Sequence, residues 1–275
     1  MKLPTLFQLL NEVKTAASNI NEHFDELMYY DIKGDRTPVT VVDTVINNQF
    51  KAWAVEHQLG FIGEEGNGIE VADHYLYVDP LDGTGAFLRG MATSTIVVSI
   101  MKRHGHFGIP IMSVIHNPIT GQTWTAEKDG GAFYSRRQAL TKTSVQHPPP
   151  ERPALITLCM IPDADERFRA LHAAVEKLGD RFSDQQMGAF ALGGGLIASG
   201  HIHATAISAT SAVETAAMSL IVSEAGGVCV DLRGKTLNQF EFTTHKGKRD
   251  FVIPHGAILA SNAELATAIV QLYGG

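Results

Sequence analysis

The sequence predicts a mixed fold: an α+β half over residues 1–146 and an α/β half over residues 151–275. Three observations carry this. Two stretches with helical apolar spacing open the chain. A run of short β-rich segments follows. Beyond a proline tract at residues 147–150, strands and helices alternate.

Leu6, Leu9, Leu10, Val13, Ala16, Ala17 and Ile20 recur on one helical face, so residues 4–29 read as an amphipathic helix. A polar loop runs from Asp31 to Thr37. Residues 43–58 read as a second helix, with Ile46, Phe50, Trp53 and Ala54 on one face and Asp43 at its N-cap. From Tyr75 the texture becomes β-rich: Tyr75–Val78, Thr95–Met101, Ile109–Ile115, Gln122–Ala126 and Ala132–Tyr134. Turn formers such as His116-Asn117-Pro118 and Asp129-Gly130-Gly131 separate these runs, the pattern of an antiparallel meander. His147-Pro148-Pro149-Pro150 reads as a linker. After it come a strand at Leu155–Cys159, helices at 163–178 and 188–199, and a strand at 201–207. A helix at 211–225 and strands at Val228–Val230 and Ala257–Ala260 complete the α/β half.

The chain has 275 residues, 44% of them hydrophobic and 19% charged, the balance of an ordinary globular protein with a sizeable core. Cys159 and Cys229 stand in unrelated contexts, which argues against a disulfide framework and for a reducing, cytoplasmic setting. Polar residues interrupt the apolar N-terminal patch early, so no signal peptide is read, and no run reaches the length of a membrane span. A formal charge of −7 argues against a nucleic-acid partner. Arg136–Arg137 and Lys246–Lys248 are short and read as solvated loop charges.

The chemistry sits in four acidic motifs. Asp79-Pro80-Leu81-Asp82-Gly83-Thr84 follows a strand directly; Pro80 is expected to end the sheet pairing and Gly83 to permit a tight turn. Two carboxylates three residues apart on a turn can converge on a hard cation, and backbone N–H groups after the turn can hold phosphate oxygens. Gly63-Glu64-Glu65-Gly66 places two acids in a glycine-flanked loop. Asp35–Asp43 delivers an acid to a helix start. Glu214 precedes Glu224-Ala225-Gly226-Gly227 by ten residues. Each alone has an ordinary reading as turn, cap or solvated loop; their joint occurrence, in this order, does not. Other phosphate and metal motifs fail: the acids lack EF-hand spacing, there is no P-loop, and Pro80 falls where an Asp-x-Asp-x-Thr phosphatase needs its nucleophile. There is no Gly-x-Ser-x-Gly elbow. The pairs His104/His106 and His201/His203 lack an evident third ligand for zinc. Gly193–Gly195 is read as permitting close helix packing.

Asp35–Asp43, Gly63–Gly66, Asp79–Thr84 and Ala212–Gly227 together resemble the inositol monophosphatase family, in its order and over nearly the whole chain. The resemblance implies a layered αβαβα sandwich and magnesium-dependent, lithium-sensitive hydrolysis of a small phosphorylated metabolite, with two or three Mg2+ ions and a homodimer. It implies that Glu64, Asp79 and the Leu81 carbonyl hold one metal, and that Asp79, Asp82 and Glu214 hold another. Thr84, paired with Asp43, would position and deprotonate the attacking water. The Gly83 and Thr84 amides would hold phosphate, and Glu65 would support its loop. Such a reaction asks the protein mainly for positioning and charge neutralisation, and needs no protein nucleophile.

Two positions depart from the family. Glu214 stands where the family has Asp, and its carboxylate reaches about 1.5 Å further, so the second metal site is expected to be weakened. Inositol-specific members carry a Glu at the position of Ile207, which puts inositol recognition in doubt. Asp79–Gly90 and Lys33-Gly34-Asp35 look somewhat closer to branches acting on histidinol phosphate or 3′-phosphoadenosine 5′-phosphate. Fructose 1,6-bisphosphate is a further candidate, and Arg89 is read as ending a loop. The rival class is a degenerate, non-catalytic phosphate-binding or regulatory protein that keeps the fold.

Overall fold

The computed structural model describes residues 3–24, 29–34, 37–66, 68, 72–137, 139–149, 151–161, 164–245 and 247–274. Asp35, Arg36, Pro150, Lys246, residues 25–28 of the expected first helix and residue 163 lie outside them.

Helix α1 (Leu6–His23) is started by Thr5, whose side chain and Gln8 form a reciprocal capping box. A two-stranded hairpin, β1 (Tyr30–Ile32) and β2 (Pro38–Thr40), leads into α2 (Val41–Glu56). The cap of α2 is Thr40 rather than Asp43. Asp43 is the third helical residue, and its carboxylate reaches back to the Thr40 N–H at 2.8 Å in a second capping box. Next come β3 (Gly60–Gly63), β4 (His74–Asp82), the short α3 (Thr84–Phe87), β5 (Thr95–His104), β6 (Phe107–His116), β7 (Gln122–Glu127), β8 (Gly131–Arg136) and β9 (Thr141–Lys142). The meander from β4 to β8 is antiparallel throughout, as expected, and β3 adds a parallel edge beside β4.

The second half contains β10 (Ala154–Cys159), α4 (Glu166–Lys177), β11 (Phe182–Asp184), α5 (Phe190–Ala198), β12 (Ala204–Ile207), β13 (Thr210–Ser211), α6 (Val213–Glu224) and β14 (Val228–Val230). It closes with β15 (Phe240–His245), β16 (Lys248–Ile253), β17 (Ala257–Ala260) and α7 (Ala263–Gly274). Five strands form a sheet in the order β11-β10-β12-β17-β14. The β15–β16 hairpin, absent from the sequence reading, joins the first-half sheet instead: β15 pairs with β6 at Phe240↔Gly108, and β13 follows on β16.

Period-two burial along β4 makes the layers. Leu76 and Val78 face α1 and α2, packing with Leu9, Ile20, Ile46 and Phe50. Tyr75 and Tyr77 face the other way, onto a core shared with Ile197 of α5, Ile221 of α6 and Leu259 of the five-stranded sheet. The far face of that sheet packs Ile156 and Leu158 against Phe168 of α4 and Ile269 of α7. The sequence of layers is therefore αβαβα. The glycines of α5 permit close approach: a Cβ on Gly194 would lie 2.5 Å from Met218 of α6, and one on Gly195 would lie 2.5 Å from the Trp124 ring.

Candidate active site

The Asp79–Thr84 motif sits at the end of β4. Pro80 does not end the pairing. The ladder breaks after Asp79↔Val97 and resumes at Asp82↔Thr95, so the motif is a bulge inside the strand that re-aims both carboxylates. Gly83 then turns with φ +82°; a Cβ there would stand 2.8 Å from both the Gly188 carbonyl and the Ala189 Cβ, so glycine is required twice over.

Carboxylate oxygens of Asp79, Asp82 and Glu214 all lie within 4.8 Å of one another. Asp82 is fixed from three sides. The Ala191 and Phe190 N–H groups at the start of α5 donate to it at 2.8 and 3.1 Å, and the Thr95 hydroxyl donates at 3.0 Å. Asp79 accepts from the Leu81 N–H at 2.9 Å. Glu214 projects from the first turn of α6.

Burial pushes all three acids towards the protonated form, and their mutual repulsion adds to it. Asp79 and Glu214 are raised well above the usual carboxylate range. Asp82 is raised only to about 6, because its three donors oppose the burial. Three crowded carboxylates, Asp79 and Asp82 buried and Glu214 partly so, fit a hard divalent cation, which would replace that repulsion with attraction.

Thr84 and Asp43 meet beside this cluster. The Thr84 hydroxyl lies 3.1 Å from Asp43 Oδ1 and 3.0 Å from the Leu81 carbonyl. Asp43 is fully buried, and burial raises its pKa against the bonds from Thr40 and Thr84.

Glu64 and Glu65 lie on the loop after β3, where the Glu64 N–H donates to the Val78 carbonyl at 3.0 Å. The Glu64 carboxylate lies 2.8 Å from Lys33 Nζ, and Lys33 also pairs with Glu65. Burial, then the Glu64 charge, lifts Glu65 to about 7 despite the lysine. For Lys33, burial works downward, but the two glutamates outweigh it and raise its pKa.

Sequence reasoning missed Lys33 as a partner of this loop and misplaced Lys248. Far from being a solvated loop charge, Lys248 is half-buried and donates to the Gly63 and Glu64 carbonyls. Arg89 folds back onto the Gly85 carbonyl at 2.5 Å. His203 accepts from the Leu155 N–H at 2.8 Å and serves the sheet.

A five-layer sandwich that gathers carboxylates from a strand bulge and a helix start defines a class, the metal-dependent phosphatases of small molecules. The chain belongs to the Inositol monophosphatase family, whose sequence pattern matches residues 4–273. It is similar to the 3′(2′),5′-bisphosphate nucleotidase CysQ of Haemophilus influenzae, 25% identical over 262 residues that cover 90% of this chain and 91% of the relative. It is also similar to the histidinol-phosphatase of Mycobacterium tuberculosis, 27% identical over 74% of this chain and 78% of that protein. The Thermotoga maritima IMPase shares the fold, with a TM-score of 0.79 at 19% identity over 98% of this chain and 96% of that one. Members of the family act on small phosphorylated substrates.

Proposed function

We propose that this phosphatase hydrolyses a small phosphate monoester by magnesium-dependent, in-line attack of water. The observation that carries the reading is the convergence of Asp79, Asp82 and Glu214 within 4.8 Å, beside the Thr84–Asp43 pair. Bound there, two or three magnesium ions would activate water and neutralise phosphate charge. Asp79, Asp82, Glu214, Glu64 and the Leu81 carbonyl are the residues that would hold them. The Gly83 and Thr84 amides orient the phosphate oxygens. The Thr84 hydroxyl accepts a proton from the attacking water as it passes its own to Asp43, whose burial raises its pKa and so favours its taking that proton.

The substrate side argues against a polyol. Ile207 closes the end of β12, is 2% exposed and offers no acid to sugar hydroxyls. This favours histidinol phosphate or 3′-phosphoadenosine 5′-phosphate over inositol phosphate. We further read the protein as lithium-sensitive, homodimeric and cytoplasmic, with residues 1–146 and 151–275 as two halves that complete one site. Two free cysteines support the reducing compartment. Among the described residues no helix is long and apolar enough to cross a membrane.

The test is phosphate release from myo-inositol 1-phosphate, histidinol phosphate, 3′-phosphoadenosine 5′-phosphate, fructose 1,6-bisphosphate and glycerol 2-phosphate, with magnesium and with EDTA. Magnesium-dependent turnover of one compound well above the rest supports the reading. Metal binding without any turnover moves the assignment to the non-catalytic phosphate-binding class.

A further inference from the structure

The β15–β16 hairpin is remote in sequence from the motif that carries Glu64, yet one of its strands touches the supports of both Glu64 and Glu214. Lys248 opens β16. Its Nζ donates to the Glu64 carbonyl at 2.5 Å and to the Gly63 carbonyl at 3.2 Å, across 184 and 185 residues. The loop it grips is flanked by Gly63 and by Gly66, which has φ +139°. Glycines leave such a loop conformationally free; the Gly66 N–H on the Gly63 carbonyl at 3.2 Å and the Glu64 N–H on the Val78 carbonyl restrain it in part, and a cation on two adjacent carbonyls adds a tether from a different strand.

Asp250 lies two residues further along β16 and therefore on the same face. It is buried and accepts from the Tyr77 hydroxyl at 2.7 Å. That hydroxyl also lies 2.9 Å from Ser211 Oγ and 3.1 Å from the Phe251 carbonyl. Ser211 pairs with Val252 of β16, and the Ala212 N–H donates to the Phe251 carbonyl at 2.9 Å. Glu214 follows in the first turn of α6. Alternate residues of one strand thus hold the Glu64 backbone at one end and the approach to Glu214 at the other.

We propose that Lys248 and Asp250 are positioning residues of the metal site, setting the separation between the Glu64 loop and the start of α6. The inference rests on reading that site as a magnesium centre. Near-octahedral magnesium tolerates little ligand displacement, and outer partners of metal ligands typically tune affinity by roughly tenfold or more.

The experiment is magnesium titration of the full chain by calorimetry, alongside the magnesium dependence of turnover. Lys248→Met is expected to weaken magnesium binding about tenfold and to raise the magnesium concentration needed for half-maximal turnover by the same factor. Turnover at saturating magnesium should largely recover. Lys248→Arg, which keeps donors to both carbonyls, should restore binding to within about twofold. Thr244→Ala, an exposed change on the same hairpin, should leave it unaltered. Wild-type affinity in a folded Lys248→Met overturns the positioning role alone. If Lys248→Met fails to fold, Lys248→Gln takes its place, and wild-type magnesium affinity in that folded variant overturns the positioning role. A wild-type chain that binds no magnesium overturns the underlying reading of the site and the positioning role with it.

Discussion

The Ala191 N–H donates to the Asp82 carboxylate at 2.8 Å, across 109 residues of sequence. Phe190 adds a second N–H, so Asp82 caps the start of α5 while facing Asp79 and Glu214. An acid in that position is stabilised by the helix terminus and destabilised by its burial and its neighbours. A cation in the cluster would relieve the destabilising part and leave the cap intact.

Magnesium should therefore raise thermal stability. At a concentration one hundred times its dissociation constant, a ligand that binds only the folded state contributes about 2.7 kcal/mol, enough to move Tm upward by several degrees. Scanning fluorimetry with magnesium and with EDTA measures this. Equal Tm values in both would mean that the carboxylates do not bind the ion.

The size of that gap should depend on pH in a stated direction. Asp79, Asp82 and Glu214 have folded-state pKa values above their unfolded ones, with Asp82 at about 6. The metal-free folded protein holds protons that the unfolded chain has lost, so it loses stability as pH rises from about 4 through 6 and beyond. The difference in Tm between the magnesium and EDTA forms should widen from pH 5 to pH 7.5. His116 acts in the opposite sense in both forms and cancels in the difference. Burial, then Lys14, lowers its pKa to about 4, so its contribution is lost as pH falls below about 6.5. A gap that narrows with rising pH would contradict the assignment.

Thr84→Ala and Asp43→Asn remove the two ends of the proposed proton path. Each is expected to lower kcat by roughly 10²–10⁴, with magnesium affinity within a few-fold of wild type. Thr84→Ser keeps the hydroxyl and should retain most of the activity. Steady-state kinetics at saturating magnesium separates these outcomes. An alanine variant with normal kcat would leave Thr84 as a structural bond between Asp43 and the Leu81 carbonyl.

Glu214→Asp tests the departure from the family. The sequence alone suggests that the longer side chain weakens the site. In the folded chain its oxygen lies within 4.8 Å of both partner carboxylates, which supports the opposite expectation, that the longer side chain is needed to reach the ion. Shortening it withdraws the oxygen by about 1.5 Å and is expected to lower magnesium affinity several-fold, measured by calorimetry. Tighter binding by the aspartate variant would show that the start of α6 can advance to meet the ion.

Much of the architecture was legible locally. Tyr75–Val78 alternates its two faces with period two, and the structure buries both, one under α1 and α2 and the other against α5 and α6. The N-terminus of α2 was legible too and was misread. Thr40-x-x-Asp43 is a capping-box pattern, and Asp43 is its reciprocal acid rather than the cap itself. The β15–β16 hairpin escaped because its strands mix exposed Glu241 and Thr244 with a cationic stretch at Lys248–Arg249, a pattern that reads as loop.

The sequence by itself determined the acidic motifs, their turn chemistry and the periodicities that build the layers, because those depend on residues within a few positions of one another. Tertiary structure alone decided which charges meet: Lys33 with Glu64, Lys248 with the Gly63–Glu64 carbonyls, Asp82 with the start of α5, and Tyr77 with Asp250. Those pairings join positions from 31 to 185 residues apart. Periodicity names the face a side chain takes and not its partner across the fold, so the partners became fixed only when the sheets and helices stacked.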